Sequence, residues 1–138
     1  MPYDPPRRAK GVLLFGASSV VASHLQPFYL WPGWSGEDAS STETAKMPIP
    51  SACKLQNARI YHNADAGNGK DVVYTLRVNG ADSAIVLTLA SDVVGEAVDT
   101  STTVDLEAGD LLSVEITKPS GSIGNGALRP VMTIEIAR

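Results

Sequence analysis

The groups in this 138-residue chain that chemistry can use are its serines, two histidines, one cysteine and a run of carboxylates. Spacing decides what each can be. A hydrolase nucleophile elbow needs Gly-x-Ser-x-Gly, so that the serine sits exposed on a strained turn. Gly16-Ala17-Ser18-Ser19-Val20 comes nearest and lacks the closing glycine. Gly67-Asn68-Gly69-Lys70 has the look of a phosphate loop, but Ala64 stands where the first glycine belongs and Asp71 where Ser or Thr would hold magnesium. Turn chemistry accounts for it better. His24 and His62 titrate near neutrality, yet neither has an Asp, Glu or Cys partner at a spacing that builds a site. His62 falls on the inward face of an expected strand near its end, the place of a hydrogen-bonded structural histidine. Asp99, Asp105, Glu107 and Asp110 offer the oxygens calcium prefers, without the spacing of a calcium loop. They read as a solvated strand edge. Cys53 is alone, which excludes an internal disulfide, and no Cys/His spacing suits zinc. With no acid, base and nucleophile grouped, the expectation is a non-enzyme that needs no cofactor and no metal.

Two features point to surfaces instead. Phe28, Tyr29, Leu30, Trp31 and Trp34 crowd a segment broken by Pro32 and Gly33, where regular alternation cannot bury them all. Phe28, Tyr29, Trp31 and Trp34 are therefore candidate partner-binding residues, the alternative being that they cap an open end of the fold. Residues 1–10 combine Pro2, Pro5 and Pro6 with Arg7, Arg8 and Lys10. Three prolines exclude helix and favour an extended arm, and its three cations are candidates for an acidic neighbour, against the simpler reading of a frayed terminus.

The elements that must carry these residues read as strands. Residues 11–15 form an apolar run of strand length followed by small polar residues, which reads as a buried strand and then a turn, with a short helix as the alternative. Residues 28–50 are expected to be irregular or edge structure. Ala58, Ile60 and His62 alternate with Arg59, Tyr61 and Asn63, while Leu55 is out of phase, which predicts a bulge near Gln56 and Asn57. After a turn over residues 65–70, Val72, Tyr74, Leu76 and Val78 alternate with Val73, Thr75 and Arg77. Asn79-Gly80 then predicts a hairpin, with a loop somewhat longer than two residues, to Ile85, Leu87 and Leu89. Residues 91–101 read as a polar link. Thr102, Val104 and Leu106, then Leu112, Val114 and Ile116, and finally Met132, Ile134 and Ile136 continue the period of two. The last of these is expected in a sheet interior, since Pro130 stands only at its start. The fold class is all-β: an antiparallel sandwich or jelly roll of about eight strands, residues 11–138 forming one domain behind the arm of residues 1–10.

Composition narrows the partners. Hydrophobic residues make up 43% and charged residues 19%, a globular balance rather than a disordered one. A formal net charge of -4 lacks the concentrated basic face that phosphate binding requires, so nucleic acid is not expected as a partner. No run of eighteen apolar residues and no secretory pattern appears, which predicts assembly in a cytoplasm without a membrane anchor.

The stretch from Ser51 to Arg138 resembles the small jelly-roll cement or decoration proteins of tailed bacteriophage capsids, and their relatives in fibre heads. The carrying residues are Asn57-Ala58-Arg59-Ile60 with Asn63, Gly67-Asn68-Gly69, Tyr74 through Gly80, and Ala108 through Val114. The same pattern resembles trimeric domains of the tumour-necrosis-factor and C1q type. What the resemblance implies is a virion protein on the capsid exterior. Its partners would be the major capsid protein and itself, as a dimer or trimer, with a fibre-tip or surface adhesin as the alternative role.

Overall fold

Side-chain alternation at a period of two is realised strand by strand. The computed structural model describes residues 11–18, 27–33, 38–43, 46–62, 71–90, 95–117 and 129–137. The arm with Arg7, Arg8 and Lys10, His24, Trp34, the expected turn at 65–70 and the side chain of His62 lie outside the described part. In chain order the strands are β1 (Gly11–Gly16), β2 (Phe28–Tyr29), β3 (Trp31–Pro32), β4 (Met47–Pro48), β5 (Cys53–His62) and β6 (Val72–Val78). There follow β7 (Ala81–Leu89), β8 (Gly95–Asp99), β9 (Val104–Leu106), β10 (Leu111–Thr117) and β11 (Val131–Ala137). They form two antiparallel sheets. The first runs β3-β1-β11-β5-β8 with β9 also on β5, and the second runs β2-β10-β6-β7 with β4 also on β10.

The all-β sandwich reading holds, with four differences in detail. Among the described residues eleven strands form, against about eight expected, because the middle stretch contributes the two-residue strands β2, β3 and β4. The segment read as a polar link contains β8, an edge strand on β5. Its Glu96 and Val98 face water while Ala97 packs on the core, so neither side shows a run of large apolar residues. The β6–β7 loop has two residues, Val78 pairing directly with Ala81. Asn79 and Gly80 take φ of 52° and 80°, the left-handed pair that matches strand twist in a tight hairpin. Finally, β1 is not buried throughout: Phe15 is sealed, but Val12 is exposed.

The expected bulge is present. Arg59 pairs with Thr133 and Gln56 with Glu135, so β5 uses one more residue than β11 over the same span. Asn57 takes that kink at φ 50°, which lets Leu55 and Ala58, three residues apart, both point inward. β11 lies between β1 and β5, in the interior as read from Pro130.

Between the sheets, Phe15, Leu55, Ile60 and Ile134 of the first meet Tyr74, Leu76, Ile85 and Leu112 of the second, all fully buried. Each contributes roughly 1.5–3 kcal/mol by leaving water. The hairpin turn is braced from outside: Asn79 Nδ2 donates to Asp110 Oδ1 at 2.9 Å, and the Leu111 amide donates to Asn79 Oδ1 at 3.0 Å. Nothing lies within 4 Å of where a Gly80 Cβ would sit, so the obstacle to a side chain there is φ alone. Gly80→Ala is expected to cost about 1 kcal/mol. A lower urea midpoint with an unchanged slope is the result to look for.

Candidate functional site

The aromatic segment crosses from one sheet to the other, and this divides its side chains. Phe28 opposes Ile116 and enters the core; Leu30 is fully buried. Tyr29 opposes Glu115 on the outer face of the second sheet, where it too is covered. Trp31 opposes Gly16 at the margin of the first sheet, half-buried, with its indole Nε1 donating to the Asp38 carbonyl at 2.7 Å. Of the three described candidates, Phe28 and Tyr29 spend their area inside the chain and Trp31 keeps part of its ring in water.

Tyr29 belongs to a polar cluster that sequence reading did not assemble. Ser40 is tied to Tyr29 by reciprocal backbone hydrogen bonds beside β2, and from there the chain brings Glu43 onto the outer face of the second sheet. Glu43 accepts from Ser113 Oγ at 2.6 Å and from Arg77 Nε at 3.0 Å. Arg77, with 17% of its side chain exposed, also reaches Glu115 Oε2 at 3.3 Å, the carboxylate of Asp82 and the Gly80 carbonyl. Tyr29 donates to Glu115 at 3.3 Å. Burial pushes the Glu43 carboxyl up, but the hydrogen bonds from Ser113 and Arg77 outweigh it and hold it below its ordinary value. Burial, and then the charges of Glu115 and Glu43, push the Tyr29 phenol up. The cluster directs its charge and hydrogen bonds inward, which suits it to clamping residues 38–43 in place. Alternation had already turned Arg77 and Glu115 outward; the missing information was the strand register and the position of Glu43.

The carboxylates considered for calcium are used separately. Asp99 accepts from Ser101 and Thr102 within its own turn, and those bonds, Thr102 first, pull its carboxyl down to about 2. Asp110 accepts from the Glu107 amide, and Asp105 lies 3.8 Å from Lys54. Among the described residues, no group of three His, Cys, Asp or Glu is placed to hold a metal, and no helix is long and apolar enough to cross a membrane. A cavity of about 200 Å³ lies where β1, β4 and β11 meet, lined by Leu13, Met47, Pro48, Ile49, Cys53 and Ile136. Its lining is apolar except for the Cys53 thiol and neighbouring Ser51.

The outer face of the first sheet is different in kind. Register sets Gly16, Val131, Tyr61 and Glu96 in one cross-strand row, Leu14, Thr133, Arg59 and Val98 in the next, and Val12 beside Glu135 in a third. Val12 is 63%, Tyr61 46% and Val98 42% exposed. Arg59 meets Glu96 at 3.3 Å, and the Glu135 carboxylate accepts from the neutral amides of Gln56 at 2.8 Å and Asn57 at 3.3 Å. This is a largely aliphatic and aromatic surface that holds one ion pair and one hydrogen-bonded carboxylate, and Trp31 borders it.

The two stacked antiparallel sheets make a jelly-roll sandwich. Among solved structures, the chain is similar to the Eiger TNF of S. frugiperda, with 17% identity, 94% of each chain covered and a TM-score of 0.50. At that identity the likeness speaks of fold alone. No protein-family model matches the sequence, and no curated protein matches it.

Proposed function

We propose that this protein is a structural binding module: copies associate through the outer face of the first sheet, and the assembly attaches to a larger protein array as a capsid cement or decoration protein. The observation that carries the reading is the open face bearing Val12, Tyr61 and Val98, in which Arg59 and Glu96 are already paired with each other. Stacking two such faces removes apolar surface from water. The outer face of the second sheet, by contrast, is covered in part by the chain's own Glu43, bound to Arg77 and Ser113. The attachment role rests on the sequence resemblance, and the arm of residues 1–10 as a strap on its three prolines and the cations Arg7, Arg8 and Lys10. A cement binding only the assembled shell stabilises it by mass action.

Light scattering on the purified protein is expected to report a dimer or trimer. Tyr61→Glu and Val98→Glu are expected to reduce that mass with the β-sheet circular dichroism retained, because both side chains are exposed in the single chain. If both variants keep the full mass, this face is not the interface. For attachment, the protein is expected on purified particles at a fixed molar ratio to the main shell protein; its absence from particles removes the cement role and leaves self-association standing. The half-exposed Trp31 favours a second reading, a fibre-tip or surface adhesin that recognises glycan or receptor. That reading calls for saturable glycan binding with tryptophan quenching, and a blank glycan array with unquenched fluorescence removes it.

A further inference from the structure

The lateral edges of the two sheets are treated unequally. β2 and β3 close one side as two-residue strands, and β8 is five residues long with Glu96 and Asp99 in it. Short length and charge are the usual protections of an edge. β7 has nine residues, and among the described strands it pairs only with β6. Beyond Asp82, residues 83–89 contain no charge, no proline and no glycine. Between Thr75 and Arg77 of β6, β7 runs from Val86 to Asp82, a bulge confined to its first half. From Val86 to Leu89 the register with β6 is regular. Within residues 85–89, Ile85, Leu87 and Leu89 are buried, while Val86, 44% exposed, and Thr88 face water. Among the described residues no strand pairs with the outer side of β7; the Ile85 amide donates to Ser83 Oγ at 3.2 Å, and the outer backbone groups of such an edge are otherwise a row of donors and acceptors open to pairing.

We propose that β7 is a self-pairing edge: residues 85–89 of two copies align antiparallel about a twofold axis at Leu87, joining two five-stranded sheets into one. Parity supports that axis. It sets Leu87 against Leu87 and Ile85 against Leu89 on the core side, and Val86 against Thr88 twice on the water side, so every side chain keeps its face. Aliphatic and β-branched cross-strand pairs of this type are favourable. A second copy fits better than a charged peptide because an isologous contact opposes like with like, and this stretch has no charge to repel itself on a chain of formal net charge -4. The contact is independent of the face that carries Tyr61. Five paired residues make a small interface, so the dimer is concentration-dependent.

The test is made in the Tyr61→Glu chain, where association through the first sheet is already weakened. Sedimentation is expected to show mass rising toward two chains with concentration. Adding Val86→Lys and Thr88→Lys, which bring like charges together twice across the axis, is expected to abolish that rise. With Cys53→Ser present, Val86→Cys combined with Thr88→Cys is expected to give a disulfide-linked dimer under mild oxidation, since directly opposed strand residues meet disulfide geometry. Both positions are exposed, so folding is retained and checked by circular dichroism. Should the lysine variant associate as strongly as its parent, or the paired cysteines fail to cross-link at the highest soluble concentration, the proposal is overturned. Neither result bears on the Tyr61 face, whose own variants are scored separately.

Discussion

Phe15→Ala is expected to destabilise the domain by about 3–5 kcal/mol, the range for truncating a fully buried aromatic in a core that relaxes only in part. Phe15 has no exposed surface and opposes Met132 on the central strand β11, between two sheets whose facing side chains are themselves sealed. Against a total of roughly 5–15 kcal/mol for a domain, that loss is enough to unfold a sizeable fraction of the chain in mild denaturant. Val12, three residues earlier on the same strand, supplies the control. It faces water, so Val12→Ser is expected to leave stability within about 0.5 kcal/mol while weakening self-association. Equilibrium urea unfolding of both variants makes the comparison. A Phe15→Ala loss below about 1 kcal/mol contradicts the packing assigned to β1.

Arg77→Ala is expected to cost about 2–3 kcal/mol at neutral pH, because it leaves Glu43 and Glu115 under cover without their cation. The figure stands above the value of an exposed pair, because Arg77, Glu43 and Glu115 are each mostly covered, and below that of a fully buried one. Its pH dependence identifies the cause. In the parent chain the Glu43 carboxyl sits below its ordinary 4.5. Its stabilising share is therefore complete above that ordinary value and is lost as pH falls through the lower folded one. Without Arg77, its hydrogen bond and its charge no longer hold the carboxyl down, so Glu43 takes up a proton at higher pH than in the parent and the variant sheds part of its penalty by doing so. The stability gap between parent and variant is thus widest at neutral pH and narrows on acidification below about pH 5. A gap that stays constant from pH 7 to pH 4 would mean that Arg77 acts through packing of its aliphatic stem. Glu43→Gln retains the hydrogen bond from Ser113 and removes the charge, and it is expected to show a smaller loss with a flatter profile.

Local pattern carried much of the fold. The alternation from Val72 to Val78 and from Leu112 to Ile116, the kink at Asn57 and the interior position of β11 were all legible, because each follows from side-chain period or backbone preference over a few residues. Two expectations missed for the same reason in opposite directions. β8 looked like a polar link because its inward side offers only Gly95, Ala97 and Asp99, which show no apolar alternation. The Asn79-Gly80 turn was read too long because the bulge in β7 shifts its visible alternation away from the turn. Length and composition likewise left the destination of the aromatic segment open. A chain that changes sheets between Tyr29 and Trp31 sends neighbouring side chains to three different environments.

The sequence by itself determined the all-β class, the inward and outward sets of most strands, and the lack of a matching catalytic motif, since those depend on residue type and near-neighbour spacing. Tertiary structure alone decided that Tyr61, Val98 and Val131 share one open face, and that Glu43 is brought to Arg77 from a loop thirty-four positions away. The physical reason is that strand register is selected by burying two sheets against each other. A slip of one residue reverses every face, and no short stretch of sequence contains the partner that forbids the slip.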